Sequence, residues 1–99
     1  MKNKTLEPTH PGEVLVEEFL KPLGITQYRL AKELHVTPRR VNEIALRRVG
    51  VSVDMALRLG KFFGTTAEFW LNLQSGYEKE LALRNGASSV LEGIKPFAA

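Results

Sequence analysis

Arginines dominate the charge of the stretch from Thr37 to Gly50, which reads TPRRVNEIALRRVG. Its four arginines face a single acidic residue, Glu43, so this stretch alone accounts for the net charge of +3 of the whole chain. The planar guanidinium of arginine suits paired hydrogen bonds to guanine edges and to phosphate oxygens. A solvated surface is the plain alternative, but the context described next favours DNA binding.

Two short helices joined by a tight turn are predicted on either side of His35. Thr26 and Thr37 are placed to cap them, because a threonine oxygen accepts a hydrogen bond from a free backbone N–H of the first turn. His35 falls at the turn, where a positive φ is often needed. Ala31 is small enough to let a sharply angled helix come close. The sequence therefore predicts a helix-turn-helix whose second helix enters the major groove of DNA.

The outward face of that second helix supplies candidate DNA contacts. Arg39 is suited to a bidentate pair with guanine, Glu43 to accepting from cytosine, and Asn42 to pairing with adenine. Other side chains are expected to contact phosphates or the sugar-phosphate edge, which gives affinity and register but little sequence preference. The contacts expected from residue type and position are Gln27, Thr37, Arg39, Asn42, Glu43, Arg47 and Arg48.

Three further helices complete an all-α domain, since no segment alternates with period two for long enough to predict a strand. The first begins after Thr9 or His10, and Ser52 caps the fourth. A capping box, Thr65 to Glu68, opens the fifth helix. Asn85 and Gly86 are predicted to end it. This organisation predicts a flexible arm over residues 1–9, a domain over residues 10–84 and a weakly ordered tail over residues 85–99.

A homodimer is expected, because one recognition helix reads only a few base pairs and two on a two-fold axis read a palindrome. Leu73, Tyr77 and Leu81, on the fifth helix, are the predicted subunit interface. Phe69 and Trp70 belong either to the monomer core or to this interface, and the sequence leaves both possibilities open.

Other classes of function find little support. The chain has two distant histidines, no cysteine, no glycine-rich phosphate loop and no metal-ligand spacing, so no enzyme, metal or cofactor is expected. No apolar run approaches the roughly 18 residues of a membrane span, and the start lacks a signal-peptide pattern. We therefore expect a cytoplasmic protein without a membrane partner.

The segment Ile25 to Gly64 resembles the lambda-repressor-like, XRE-type helix-turn-helix. A longer match, from Pro8 to Leu83, resembles the HigA antitoxins, also labelled VapI or addiction module antidotes. The opening HPGEVL and the block FGTTAEFWLNLQ make the resemblance specific to HigA. It implies a five-helix lambda-repressor-like DNA-binding domain with a C-terminal helix extension.

The resemblance also implies a function. Such proteins neutralise a HigB toxin, a RelE-like mRNA endonuclease, and repress their own operon as dimers on palindromic operators. By position it adds Pro38 and Arg40 to the DNA contacts, although Pro38 lacks the side-chain donor common at its place. His35 stands where a glycine is usual. The alternative is a stand-alone XRE-type regulator without a toxin partner.

Overall fold

The structure, a computed structural model, describes residues 8–98 and confirms the predicted all-α fold. Five helices build the domain, and a short sixth helix follows them. The helices are α1 (residues 11–23, formed by Pro11–Val14, a π-helical turn at Leu15–Leu20, and Lys21–Leu23), α2 (Gln27–Leu34), α3 (Pro38–Ala45), α4 (Val53–Phe63), α5 (Ala67–Ala82) and, after a π-helical segment at Leu83–Ala87, α6 (Ser88–Glu92).

The predicted caps of α2, α3 and α4 are confirmed. The hydroxyl oxygens of Thr26, Thr37 and Ser52 accept hydrogen bonds from backbone N–H groups three residues later, at 3.0, 3.2 and 3.2 Å. Of the two candidates before α1, His10 is the cap, since its Nδ1 accepts from the Gly12 N–H at 2.8 Å. These bonds satisfy donors that a helix start leaves without an intrahelical partner.

The predicted capping box at the start of α5 is wrong by one residue. Thr66, not Thr65, is the cap, and its hydroxyl oxygen accepts from the Phe69 N–H at 3.1 Å. The Thr65 hydroxyl oxygen instead accepts from the indole Nε1 of Trp70 at 2.9 Å. A buried indole N–H needs an acceptor, and Thr65 supplies it from outside the helix.

Trp70 lies at the centre of the core with no exposed surface, which places it in the monomer core. Phe69 beside it remains 38% exposed, and Val53, expected in the buried stripe of α4, is 62% exposed. Both side chains point away from the core because the apolar stripe follows other positions of their helices. The buried apolar residues are Leu15, Leu20, Leu30, Ala31, Leu34, Val41, Ile44, Val51, Met55, Ala56, Leu59 and Trp70.

The loop between α3 and α4 is anchored by Gln74 of α5. Its Oε1 accepts from the Val51 N–H at 2.8 Å, and its Nε2 donates to Glu78 at 2.7 Å. A side chain at Gly50 would collide with the Gln74 amide. The end of α3 is therefore held against α5 by a polar contact as well as by the core.

The C-terminal segment departs from a single helix where the sequence predicted an interruption. Asn85 and Gly86 have non-helical backbone angles, with φ of 108° at Gly86. The chain then forms α6 within the range expected to be a tail. The boundaries of the arm and tail and the order of the tail stay predictions; of the arm, only Pro8 and Thr9 lie within the described residues. Across residues 8–98, no helix combines the length and the apolar character that crossing a bilayer requires.

Candidate nucleic-acid interface

Helices α2 and α3 form the predicted helix-turn-helix. His35 ends α2 in the left-handed region, with φ of 61° and ψ of 43°, and its N–H donates to the Lys32 carbonyl at 3.2 Å. Ala31 is 1% exposed, as expected for the small residue where two helices meet. Val41 and Ile44 of α3 are buried, so the opposite face of α3 is directed outward.

Arg39 is the most prominent side chain of this outward face. Its side chain is 87% exposed, and its Nε lies 3.7 Å from the Glu43 carboxylate one turn later. Thr37 and Pro38 are also exposed at the start of α3. An exposed guanidinium near the N-terminal end of α3 has the position and the donors required for reading a base edge.

Asn42 and Gln27 are brought together by the fold. The Asn42 Nδ2 donates to the Gln27 Oε1 at 3.2 Å, which joins the outer sides of α3 and α2. Both residues were predicted as separate DNA contacts. The bond occupies an Asn42 donor that pairing with adenine requires, and it leaves the Gln27 Nε2 as a donor at the start of α2.

Arg40 faces α4 rather than pointing straight outward. Its Nη2 donates to the Asp54 Oδ2 at 3.0 Å and lies 3.5 Å from the Ser52 hydroxyl oxygen. The Asp54 carboxylate also accepts from Arg58, and this hydrogen bond, followed by that from Arg40, holds the pKa of Asp54 below its ordinary value. Arg40 was expected at the DNA by position, and the structure places its guanidinium at the edge of that surface.

Arg47 and Arg48 follow the C-terminal end of α3. Arg47 has a positive φ of 64°, and its Nη1 lies 3.9 Å from the carboxylate of Glu13 in α1. The Arg48 N–H donates to the Glu43 carbonyl at 2.9 Å, which closes the end of α3. Both side chains are exposed and lie away from the N-terminal end of α3, where phosphates rather than base edges are the expected contacts.

The predicted interface residues of α5 lie on its second half, apart from α3. Leu73 is half-buried and packs against the core, and the Tyr77 ring meets His10 edge to face at 4.8 Å. Leu81 is half-buried one turn further on. Leu73, Gly76 and Tyr77 line an open groove of about 310 Å³.

His10 connects α1 with this part of α5 and with the end of α3. It is 3% exposed, and its Nδ1 accepts the cap bond from Gly12. Burial lowers the pKa of His10 below its ordinary value of 6.5, the charge of Arg47 lowers it further, and a hydrogen bond with the Val49 backbone opposes both. The neutral imidazole is therefore the form that the fold accommodates.

We expect acid to destabilise the protein through His10. Because its pKa is lower in the folded chain, the stabilisation is complete above pH 6.5 and is lost as the pH falls below 6.5 through the folded-state pKa. The slope is at most about 1.4 kcal/mol per pH unit for one proton. Urea unfolding from pH 7.5 to 5 should show the wild type losing stability faster than His10→Asn, which keeps a capping oxygen. Parallel pH profiles would contradict this role.

Residues 16–70, more than half of the chain, match the family described as Helix-turn-helix. Virulence-associated protein I of Dichelobacter nodosus is 51% identical over 73 residues, which cover 74% of this chain and 68% of that protein. Antitoxin HigA-1 of Vibrio cholerae is 36% identical over 74 residues, covering 75% and 70%. The solved structure of Pseudomonas aeruginosa antitoxin HigA with the higBA promoter is similar with a TM-score of 0.86 at 41% identity, over 93% of this chain and 100% of that one. The chain belongs to the HigA family.

HigA proteins are thus the family whose helix-turn-helix this chain shares, and the resemblance seen in the sequence is confirmed. The family is one of DNA-binding helix-turn-helix proteins. Among residues 8–98, no group of three or more histidine, cysteine, aspartate or glutamate side chains is arranged to hold a metal ion.

Sequence reasoning overlooked three side chains at this surface. Tyr28 is 69% exposed in the first turn of α2, beside Gln27. Asp54 and Arg58 of α4 contact the helix-turn-helix through Arg40 and through the carbonyls of the turn. The exposed aromatic beside Gln27 was visible in the sequence, whereas the contacts of Asp54 and Arg58 join residues 14 and 24 positions apart and required the fold.

Proposed function

We propose that this protein is the antitoxin of a type II toxin–antitoxin pair and represses its own operon by binding a palindromic operator as a dimer. The observation that carries the DNA-binding part is the outward face of α3, headed by the exposed Arg39 and supported on a buried inner face. The family relationship to HigA, including a HigA solved with its promoter, supports the operator as the ligand. The proposed site of action is the cytoplasm.

Arg39, Glu43 and Thr37 are the proposed base-reading residues. Arg39 donates to guanine O6 and N7, and Glu43 accepts from a cytosine amino group. Their mutual distance of 3.7 Å means that Arg39 exchanges an ion pair for a base contact as DNA arrives. Pro38 contributes only apolar contact, because it has no side-chain donor or acceptor.

The remaining predicted contacts are assigned to the DNA backbone or to support. The Gln27 Nε2, held by Asn42, is a donor for a phosphate near the N-terminus of α2, where backbone N–H groups add to the site. Arg47 and Arg48 bind phosphates at the far end of α3. Arg40 reaches a phosphate only with the guanidinium edge that Asp54 does not engage.

The proposed dimer is built on Leu73, Tyr77 and Leu81 of α5. Its support is the apolar surface that the single chain leaves uncovered around and beyond this helix. Leu83, Val90 and Ile94 are 40, 67 and 62% exposed. A second copy seated there buries surface that water otherwise covers at a cost.

Leu81→Arg should convert the dimer into a monomer, because a buried charge opposes association at an apolar contact. Sedimentation equilibrium measures the mass. Operator affinity should fall at least tenfold, since the two half-sites are no longer bound together. Leu57→Arg, at an α4 side chain that is 59% exposed, is the matched control and should remain dimeric. A Leu81→Arg protein that stays dimeric argues against this interface.

The toxin partner rests on membership of the HigA family. The test is to co-express the chain with the adjacent reading frame, purify by a tag on one protein only, and footprint the complex on its own promoter. Co-purification with relief of growth arrest supports the antitoxin role. Promoter protection without a toxic neighbour supports the stand-alone regulator instead, and no promoter protection rejects the operator proposal.

A further inference from the structure

The two helices of the helix-turn-helix are joined by a chain of hydrogen bonds that passes through α4. At one end, the Arg58 Nη1 donates to the Leu34 carbonyl at 2.7 Å and approaches the His35 carbonyl at 3.4 Å. These carbonyls end α2 and begin the turn. They are groups that a helix C-terminus leaves without an intrahelical donor, so a guanidinium is a suitable partner.

The chain continues from Arg58 to the recognition helix. The Arg58 Nε lies 3.1 Å from both Asp54 carboxylate oxygens, and the Asp54 Oδ2 accepts from the Arg40 Nη2 at 3.0 Å. We call this set of Arg40, Asp54 and Arg58 the Asp54 bridge. Its three side chains are 37 to 51% exposed, so they lie in contact with solvent at the edge of the surface that α3 presents.

An acidic side chain at this place is unfavourable for general attraction to DNA. Asp54 cancels the charge of one arginine beside the recognition helix, and every cancelled charge weakens the attraction to phosphates. The contribution of Asp54 to binding must therefore be geometric. Hydrogen bonds between ionised groups are short and directional, so they restrict where Arg40 and the start of α3 lie relative to the turn.

We propose that Asp54 and Arg58 are positioning residues for operator recognition, which set the orientation of α3 against α2 through Arg40 and the turn carbonyls. This inference rests on the proposed operator binding. Neither residue needs to touch DNA, and their effect is on sequence preference more than on affinity for DNA in general. A misplaced recognition helix loses base contacts while its phosphate contacts adapt.

The test compares operator DNA with a scrambled duplex of equal length. Asp54→Asn should bind the operator about tenfold more weakly, the loss expected for one base contact, yet bind the scrambled duplex as tightly as the wild type or more tightly. Arg58→Lys keeps the charge but not the forked donors, and it should lose the operator preference in the same way. Glu17→Gln is the matched control, since it removes an acid from another i, i+4 pair, with Lys21 at 3.0 Å.

Each other pattern overturns the inference. A parallel gain on both duplexes in Asp54→Asn means that the carboxylate acts only as a charge, and a parallel loss with a lower melting temperature means a general structural role. Amide hydrogen exchange at His35 and Val36 is the readout without DNA, and it should accelerate in both bridge variants; unchanged exchange contradicts the positioning role. A wild type that does not prefer its promoter to the scrambled duplex rejects the proposed function, whatever the variants do.

Discussion

Gly12→Ala is expected to destabilise the folded protein by about 3 kcal/mol or more, as insertion of an atom into a filled core does. A Cβ at Gly12 would overlap the Ile44 carbonyl oxygen and lie 3.0 Å from the carbonyl carbon. These atoms are backbone of α3, so no side-chain rotation relieves the clash. Helix α1 would have to move away from the recognition helix, with loss of the contacts that both make to the core.

Gly76→Ala provides the matched control for this effect. Gly76 also lies inside a helix, but a Cβ there has no neighbour within 4 Å. Alanine should stabilise α5 by up to about 1 kcal/mol, because glycine is the weaker helix former. Urea unfolding at one protein concentration measures both changes, and light scattering follows the oligomeric state. A Gly12→Ala protein as stable as the wild type would show that α1 and α3 are not in close backbone contact.

Arg39→Ala is expected to reduce operator binding by about 2–6 kcal/mol for the dimer, because each half-site loses a contact worth about 1–3 kcal/mol. The physical reason is the bidentate pair, so Arg39→Lys, which keeps the charge, should restore only part of the affinity. Sequence preference should relax at one base pair in each half-site. Fluorescence titrations on operators with single substitutions measure the change.

Arg48→Ala should behave differently, because a phosphate contact carries little sequence information. It should weaken binding to operator and scrambled duplex alike. The slope of log affinity against log salt should fall by about one unit per subunit. Equal patterns for the two alanine variants would contradict the division between base-reading and phosphate-binding residues.

Local sequence signals predicted most of the helix pair correctly. Threonine or serine before an amphipathic run is a reliable start signal, and three such caps were predicted at Thr26, Thr37 and Ser52. The positive φ at His35 also followed from its place between two helices. The cap of α5 was misassigned because Thr65 and Thr66 are chemically equivalent, and only the buried Trp70 distinguishes them.

Contacts between distant segments were beyond the sequence. Arg40 and Asp54 are 14 residues apart, and Gln27 and Asn42 are 15 apart. Residue type showed that these side chains were polar and that some faced outward. It could not show that Asn42 is engaged by Gln27 or Arg40 by Asp54, because each pairing depends on the angle at which the helices pack.

The sequence by itself determined the all-α class, the place of the helix-turn-helix and its charge, since helix periodicity, caps and arginine content are local properties. The tertiary structure alone decided why Gly12 is required and which outward side chains are already engaged. A backbone-to-backbone approach such as that of α1 to Ile44 leaves no trace in composition or periodicity. It arises only when helices far apart in the chain share one small core, where a single added carbon has no room.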